Sequence, residues 1–173
     1  MQKLLWVVGC VLAALLIAAG PASAAVKEGD KEISVYGAVT SIDVEGFNVT
    51  LVTVQLAGGV FINDSAQLGG SITTQSSDAE GETSTSRTLA GFFKFHFNTK
   101  ETTVPYVGFQ AGQTTVEFGS DSESAVSYGP LAGIKFFVSE NLSVNPEVDY
   151  IKTKILEVDV TITIVQVGLS YYF

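Results

Sequence analysis

From residue 31 to the C-terminus, apolar and polar residues alternate with a period of two, and short polar breaks cut the alternation into eight segments. In an extended chain that period puts successive side chains on opposite faces, so each segment carries one greasy face and one polar face. The expected strands are Lys31–Ser41, Thr50–Ile62, Ala66–Gln75, Ser86–Phe97, Thr103–Phe118, Val126–Val138, Leu142–Leu156 and Asp159–Phe173. Soluble strands usually stop at about 5 or 6 residues, whereas most of these reach the roughly 9 to 11 that a tilted strand needs to cross a bilayer. Eleven Phe and six Tyr beside a single Met, with abundant Val, Thr and Gly, favour strand over helix throughout. The pattern predicts an all-β chain: an eight-stranded antiparallel up-and-down transmembrane β-barrel.

The residues ahead of the first strand read differently. Lys3, an apolar run from Leu4 to Ala19 and the small-residue site Ala22-Ser23-Ala24 have the order of a secretory signal peptide. The expected organisation is a cleaved signal over 1–24 and a barrel domain over 25–173. Val7-Val8-Gly9-Cys10 has the look of a lipoprotein box, but it falls inside the continuing apolar run. Cys10 is the one cysteine, so the mature chain is expected to have no thiol chemistry and no disulfide. Beyond Ala25 no stretch of 18 apolar residues exists to span a membrane as a helix. A net charge of −9 and a pI near 4.4 argue against nucleic acid, which calls for clustered Lys and Arg.

In a barrel of this size the apolar face meets lipid and the polar face must fill the interior. In the fourth strand Leu89, Gly91, Phe93, Phe95 and Phe97 share one face, while Phe92, Lys94 and His96 share the other. The seventh sets Leu142, Val144, Pro146, Val148 and Tyr150 against Ser143, Asn145, Glu147 and Asp149. The sixth puts Lys135 opposite Ala132, Ile134, Phe136 and Val138. The expected lumen network is therefore Lys94, His96, Lys135, Glu147 and Asp149, with opposite charges offsetting each other where an unpaired buried ion would cost several kcal/mol. That implies a plugged interior rather than a water-filled pore. Gly108, Gly112, Gly133 and Gly168 are expected to relieve crowding there. Pro105, Pro130 and Pro146 count against closure, since each lacks an amide hydrogen, and they are expected near strand ends. Apolar residues also change phase between Ile164 and Val165 and between Ala111 and Val116, which suggests bulges or projecting strand ends.

The breaks differ in character. Asn63-Asp64-Ser65, Asn98–Thr102 and Ser139-Glu140-Asn141 read as tight turns, and Ile42–Val49, Ser76–Thr85 and Gly119–Ala125 as longer loops. Short periplasmic turns and longer external loops would place both termini in the periplasm. Phe61, Phe95, Phe97, Phe136, Tyr171 and Phe173 are expected at the periplasmic rim, where aromatic rings favour the headgroup boundary. Asp78, Glu80, Glu82, Asp121 and Glu123 read as solvated loop charges, with divalent cations bridging lipopolysaccharide phosphates as the alternative.

The chain ends Val165-Gln166-Val167-Gly168-Leu169-Ser170-Tyr171-Tyr172-Phe173, a terminal aromatic preceded by apolar residues at every second position. This resembles the C-terminal assembly signal of outer-membrane barrels. Pro105–Gly112 and Ala132–Phe137 resemble strands of the OmpA/OmpX-like outer-membrane β-barrel domain family, and the likeness extends over Val26–Phe173. The resemblance implies a Gram-negative outer-membrane location and recognition by the barrel assembly machinery, with Leu169, Tyr171 and Phe173 at the signal positions. Outer-membrane lipid and lipopolysaccharide are the expected surroundings and a monomer the expected state.

No catalytic, cofactor or metal site is expected. The one histidine, His96, falls beside a periplasmic turn with no placed Ser and carboxylate partners for acyl chemistry. Three readings follow: a structural or interaction barrel of the envelope, a narrow channel for small solutes, or a soluble lipocalin-like barrel whose apolar face turns inward.

Overall fold

A computed structural model describes residues 26–44, 47–79, 82–118, 121–155 and 158–173. The expected signal peptide, and with it Cys10, lies outside them. The described residues form eight strands: β1 (Lys31–Val44), β2 (Phe47–Phe61), β3 (Ala66–Ala79), β4 (Glu82–His96), β5 (Thr103–Phe118), β6 (Asp121–Ser139), β7 (Leu142–Ile155) and β8 (Val158–Tyr172). Each pairs antiparallel with its neighbour in sequence, and β8 returns to β1 to close the barrel.

Alternation dictates the two faces. Ile33 and Val35 on β1, Phe93 and Phe95 on β4 and Val165 and Leu169 on β8 stand exposed outside, while Glu32, Ser34, Lys94, His96, Gln166 and Ser170 are buried within. A water-soluble barrel would have these faces reversed, so the lipocalin-like reading is excluded. Cross-strand neighbours pack the lumen by shape. The rings of Tyr36, Tyr106 and Phe92 lie over Gly168, Gly133 and Gly69, their partners on the adjacent strand, at positions where a Cβ would collide with the ring. Glycine is needed at these points because only a bare Cα lets the rings lie down against the wall.

Four sequence expectations need correction. The segments read as long external loops are largely strand: Ser76 pairs with Thr85 and Ser77 with Ser84, so β3 and β4 run on until two residues separate them. These ends project hydroxyls on both faces, and a stretch that is polar on both sides has no hydrophobic period to read. The phase changes are not bulges, because β5 and β8 keep continuous registers through them. Val116 and Ile164 instead turn inward and are buried. Pro130 lies in the middle of β6 rather than near its end; it pairs with Phe109 on β5, and the β6–β7 ladder passes over both Pro130 and Pro146. Phe61 is buried inside the barrel, whereas Phe95, Phe97, Tyr171 and Phe173 are exposed on its outer surface.

The closing seam is uneven. The β1–β8 ladder runs from Glu32↔Tyr172 to Gly37↔Val167, while β1 goes on pairing with β2 as far as Val44↔Phe47. Val39 and Val165, just past the last rung, are 61% and 65% exposed, so the apolar outer band extends beyond the closed part of the seam.

Candidate functional site

The lumen is built in layers, starting from the chain ends. Below β1 the segment from Val26 to Asp30 folds across the base: the Val26 amide donates to the Thr99 carbonyl at 3.3 Å and the Gly29 amide to that of Phe61 at 2.8 Å. Gly29 takes a positive φ of 90° to make this turn, a conformation that costs glycine little. Val26 thereby joins Phe61, Val104, Phe137 and Tyr172 in an apolar cluster at the bottom of the barrel.

Above that cluster sit two buried ion pairs. Lys135 Nζ donates to Glu32 Oε1 and Oε2 at 2.6 and 2.7 Å, and also to Tyr172 Oη at 2.9 Å. Glu32 accepts further bonds from Gln67 Nε2 at 2.6 Å and Ser34 Oγ at 2.8 Å. Lys94 Nζ donates to Glu147 Oε2 at 2.6 Å, and Tyr106 Oη donates to the same oxygen at 2.8 Å. Gln166 Nε2 bridges the two acidic residues of β7, reaching Glu147 Oε1 at 3.0 Å and Asp149 Oδ2 at 2.8 Å. Rings cover both cations: Lys94 stands 4.9 Å from the Tyr106 centroid and 5.0 Å from that of Phe92, and Lys135 stands 5.3 Å from those of Tyr106 and Tyr172. Ser34, Ser143, Asn145 and Ser170 fill the remaining space with their own hydrogen bonds. The four paired side chains are 0–4% exposed. Nearly every donor and acceptor of the pairs is met, which is the condition under which buried charges are tolerated.

The structure thus joins Lys94 to Glu147, gives Lys135 to Glu32 and leaves Asp149 to Gln166. His96 stays apart from the carboxylates: its Nδ1 lies 3.3 Å from the Ser65 carbonyl, and its ring sits between Phe61 and Tyr106 at 4.9 and 5.3 Å. Sequence reasoning missed Glu32, Gln67, Tyr106 and Gln166. The signal for Glu32 was present, since Glu32, Ser34 and Tyr36 alternate with Ile33 and Val35 along β1.

A closed eight-stranded barrel, apolar outside and ionic within, has the architecture of a small bacterial membrane barrel, and a family model for the outer membrane protein beta-barrel domain matches residues 10–173. The chain belongs to that family. Solved structures with the same fold include Neisserial surface protein A, with a TM-score of 0.65, 15% identity, and coverage of 83% of this chain and 96% of that one. OprG from Pseudomonas aeruginosa gives 0.59 at 13% identity, over 88% and 99% of the two chains. Ail from Yersinia pestis, in a phospholipid bilayer nanodisc, gives 0.55 at 20% identity, over 84% and 100%. Among curated proteins none matches the sequence. As an outer-membrane barrel the molecule has a natural solvent for its outer face, and its lower lumen is where its chemistry is concentrated.

Proposed function

We propose that this barrel is a sealed, non-catalytic element of the envelope, structural or contact-making, which conducts no solute. The observation carrying this reading is the ionic layer: Lys94–Glu147 and Lys135–Glu32 meet across the lumen and leave those side chains almost wholly buried. A conducting pore would need a wet path through charges that here satisfy one another. In support of a non-catalytic role, His96 Nδ1 faces the accepting backbone carbonyl of Ser65 rather than a nucleophile or carboxylate.

The proposal includes a monomer in contact with outer-membrane lipid and lipopolysaccharide, with both termini in the periplasm. Phe95, Phe97, Tyr171 and Phe173 support this orientation, because they gather on the outer surface at the end where β1 begins and β8 finishes. Leu169, Tyr171 and Phe173 share the outward face of β8 and are each more than half exposed, which suits recognition by the assembly machinery. Planar-bilayer recording of the refolded barrel tests the sealed state. The expected result is no stepwise current; reproducible unitary steps would support the narrow channel instead.

A further inference from the structure

The upper lumen differs in kind from the plug below it. A cavity of about 180 Å³ lies there, and its lining holds no charged side chain. One wall, from β3 to β5, carries the hydroxyls of residues such as Thr73, Thr88 and Thr114. Leu51, Ile151, Ile162 and Ile164 make the opposite side, on β2, β7 and β8, largely apolar, and Val116 adds an aliphatic side chain to the β5 wall. The inward-turned Val116 and Ile164 noted above thus find a purpose: they line this space.

Within this lining Thr153 is 5% exposed, and its Oγ1 has no hydrogen-bond partner in the protein. One inward step below Ile151 and Ile164 come Asp149 and Gln166, whose Oδ1 and Oε1 are likewise unpartnered. Among the described residues of β7 and β8, unpartnered oxygens therefore flank an apolar wall: Thr153 Oγ1 one inward step above Ile151, and Asp149 Oδ1 and Gln166 Oε1 at its foot. A buried oxygen left unpaired costs about 1–3 kcal/mol, and a guest that supplied a donor there would recover part of that cost.

We infer that the upper lumen is a binding site for a small uncharged amphiphile, whose hydroxyl or N–H group meets Thr153 while its apolar body rests on Ile151, Ile162 and Ile164. The size fits: an apolar protein cavity of about 150 Å³ takes up benzene, so this one accommodates a guest of one ring or a short chain with one polar group. The absence of charge from the lining disfavours anions and cations alike.

Methyl NMR of the barrel in lipid nanodiscs tests the site, with benzyl alcohol, toluene and benzoate as probes. Benzyl alcohol is expected to shift the methyls of Ile151, Ile162 and Ile164 saturably and to give NOEs to them; benzoate is expected to do neither. Thr153→Val removes the hydroxyl at constant shape. It should weaken benzyl alcohol about fivefold, the size of one net hydrogen bond, and leave toluene unchanged. Ile151→Phe, which fills the cavity, should abolish the inner shifts for both neutral probes. Heat-dependent electrophoretic mobility establishes that each variant is folded. The inference is overturned if the shifts fall only on the lipid-facing methyls of Val39 and Val165, which marks partition into the bilayer. It is equally overturned if folded Thr153→Val binds benzyl alcohol as the parent does.

Discussion

The two halves of the lumen solve the same problem in opposite ways. Below, from Val26 to the level of Tyr36, two cations and the carboxylates of Glu32, Glu147 and Asp149 are packed among rings and amides until the paired groups are nearly dry. Above, the inward side chains are hydroxyls, amides and aliphatics, and a cavity remains among them. The seam follows the same division. β1 and β8 are laddered from Glu32 to Gly37, and above Gly37 the described part of β1 pairs with β2. Tightness is thus concentrated at the base, where charges fix which groups must meet, and the upper half has freedom to admit something else.

Mutations sharpen this contrast. The largest effect belongs to Lys135→Met, which strands Glu32 among Gln67 and Ser34 without its cation; breaking a buried pair from one side costs about 3–5 kcal/mol. Urea unfolding in detergent should show a loss of that order, and adding Glu32→Leu should return much of it. At the other end of the scale stands Thr88→Val in the upper wall. Its hydroxyl lies 2.8 Å from that of Thr114, which in turn donates to Ser127 at 3.0 Å, so a network member remains when one is lost. The same titration should record a change of about 1 kcal/mol or less. Equal losses for the two variants would erase the distinction between a tight base and a permissive top.

How much of this was legible in sequence also differs between the halves. In the lower half the outward faces of β4, β6 and β7 are apolar at every second position, so Lys94, His96, Lys135, Glu147 and Asp149 could be assigned to the interior from those strands alone, although Phe92 and Phe137 share that inward face. Which cation meets which carboxylate could not be read, because pairing across the lumen depends on barrel diameter and stagger rather than on any one strand. Lys135 reaches Glu32, 103 residues away in sequence. In the upper half the rule itself fails. Ser76, Ser77, Ser84 and Thr85 are polar on both faces and read as loop, while Ile162 and Ile164 are apolar on the face that should be polar and read as a defect in the strand. Both misreadings have one origin, since alternation reports on lipid and water, and a neutral cavity is neither.

The most direct test is thiol accessibility in intact cells, using single cysteines placed in a Cys10→Ser background and a membrane-impermeant maleimide. A cysteine at Thr114, in the upper lumen, should be labelled from outside. One at Ser143, which is fully buried in the base, should stay unlabelled until the barrel is boiled in SDS. Labelling of Ser143→Cys in intact cells at a rate comparable to Thr114→Cys would contradict the sealed base.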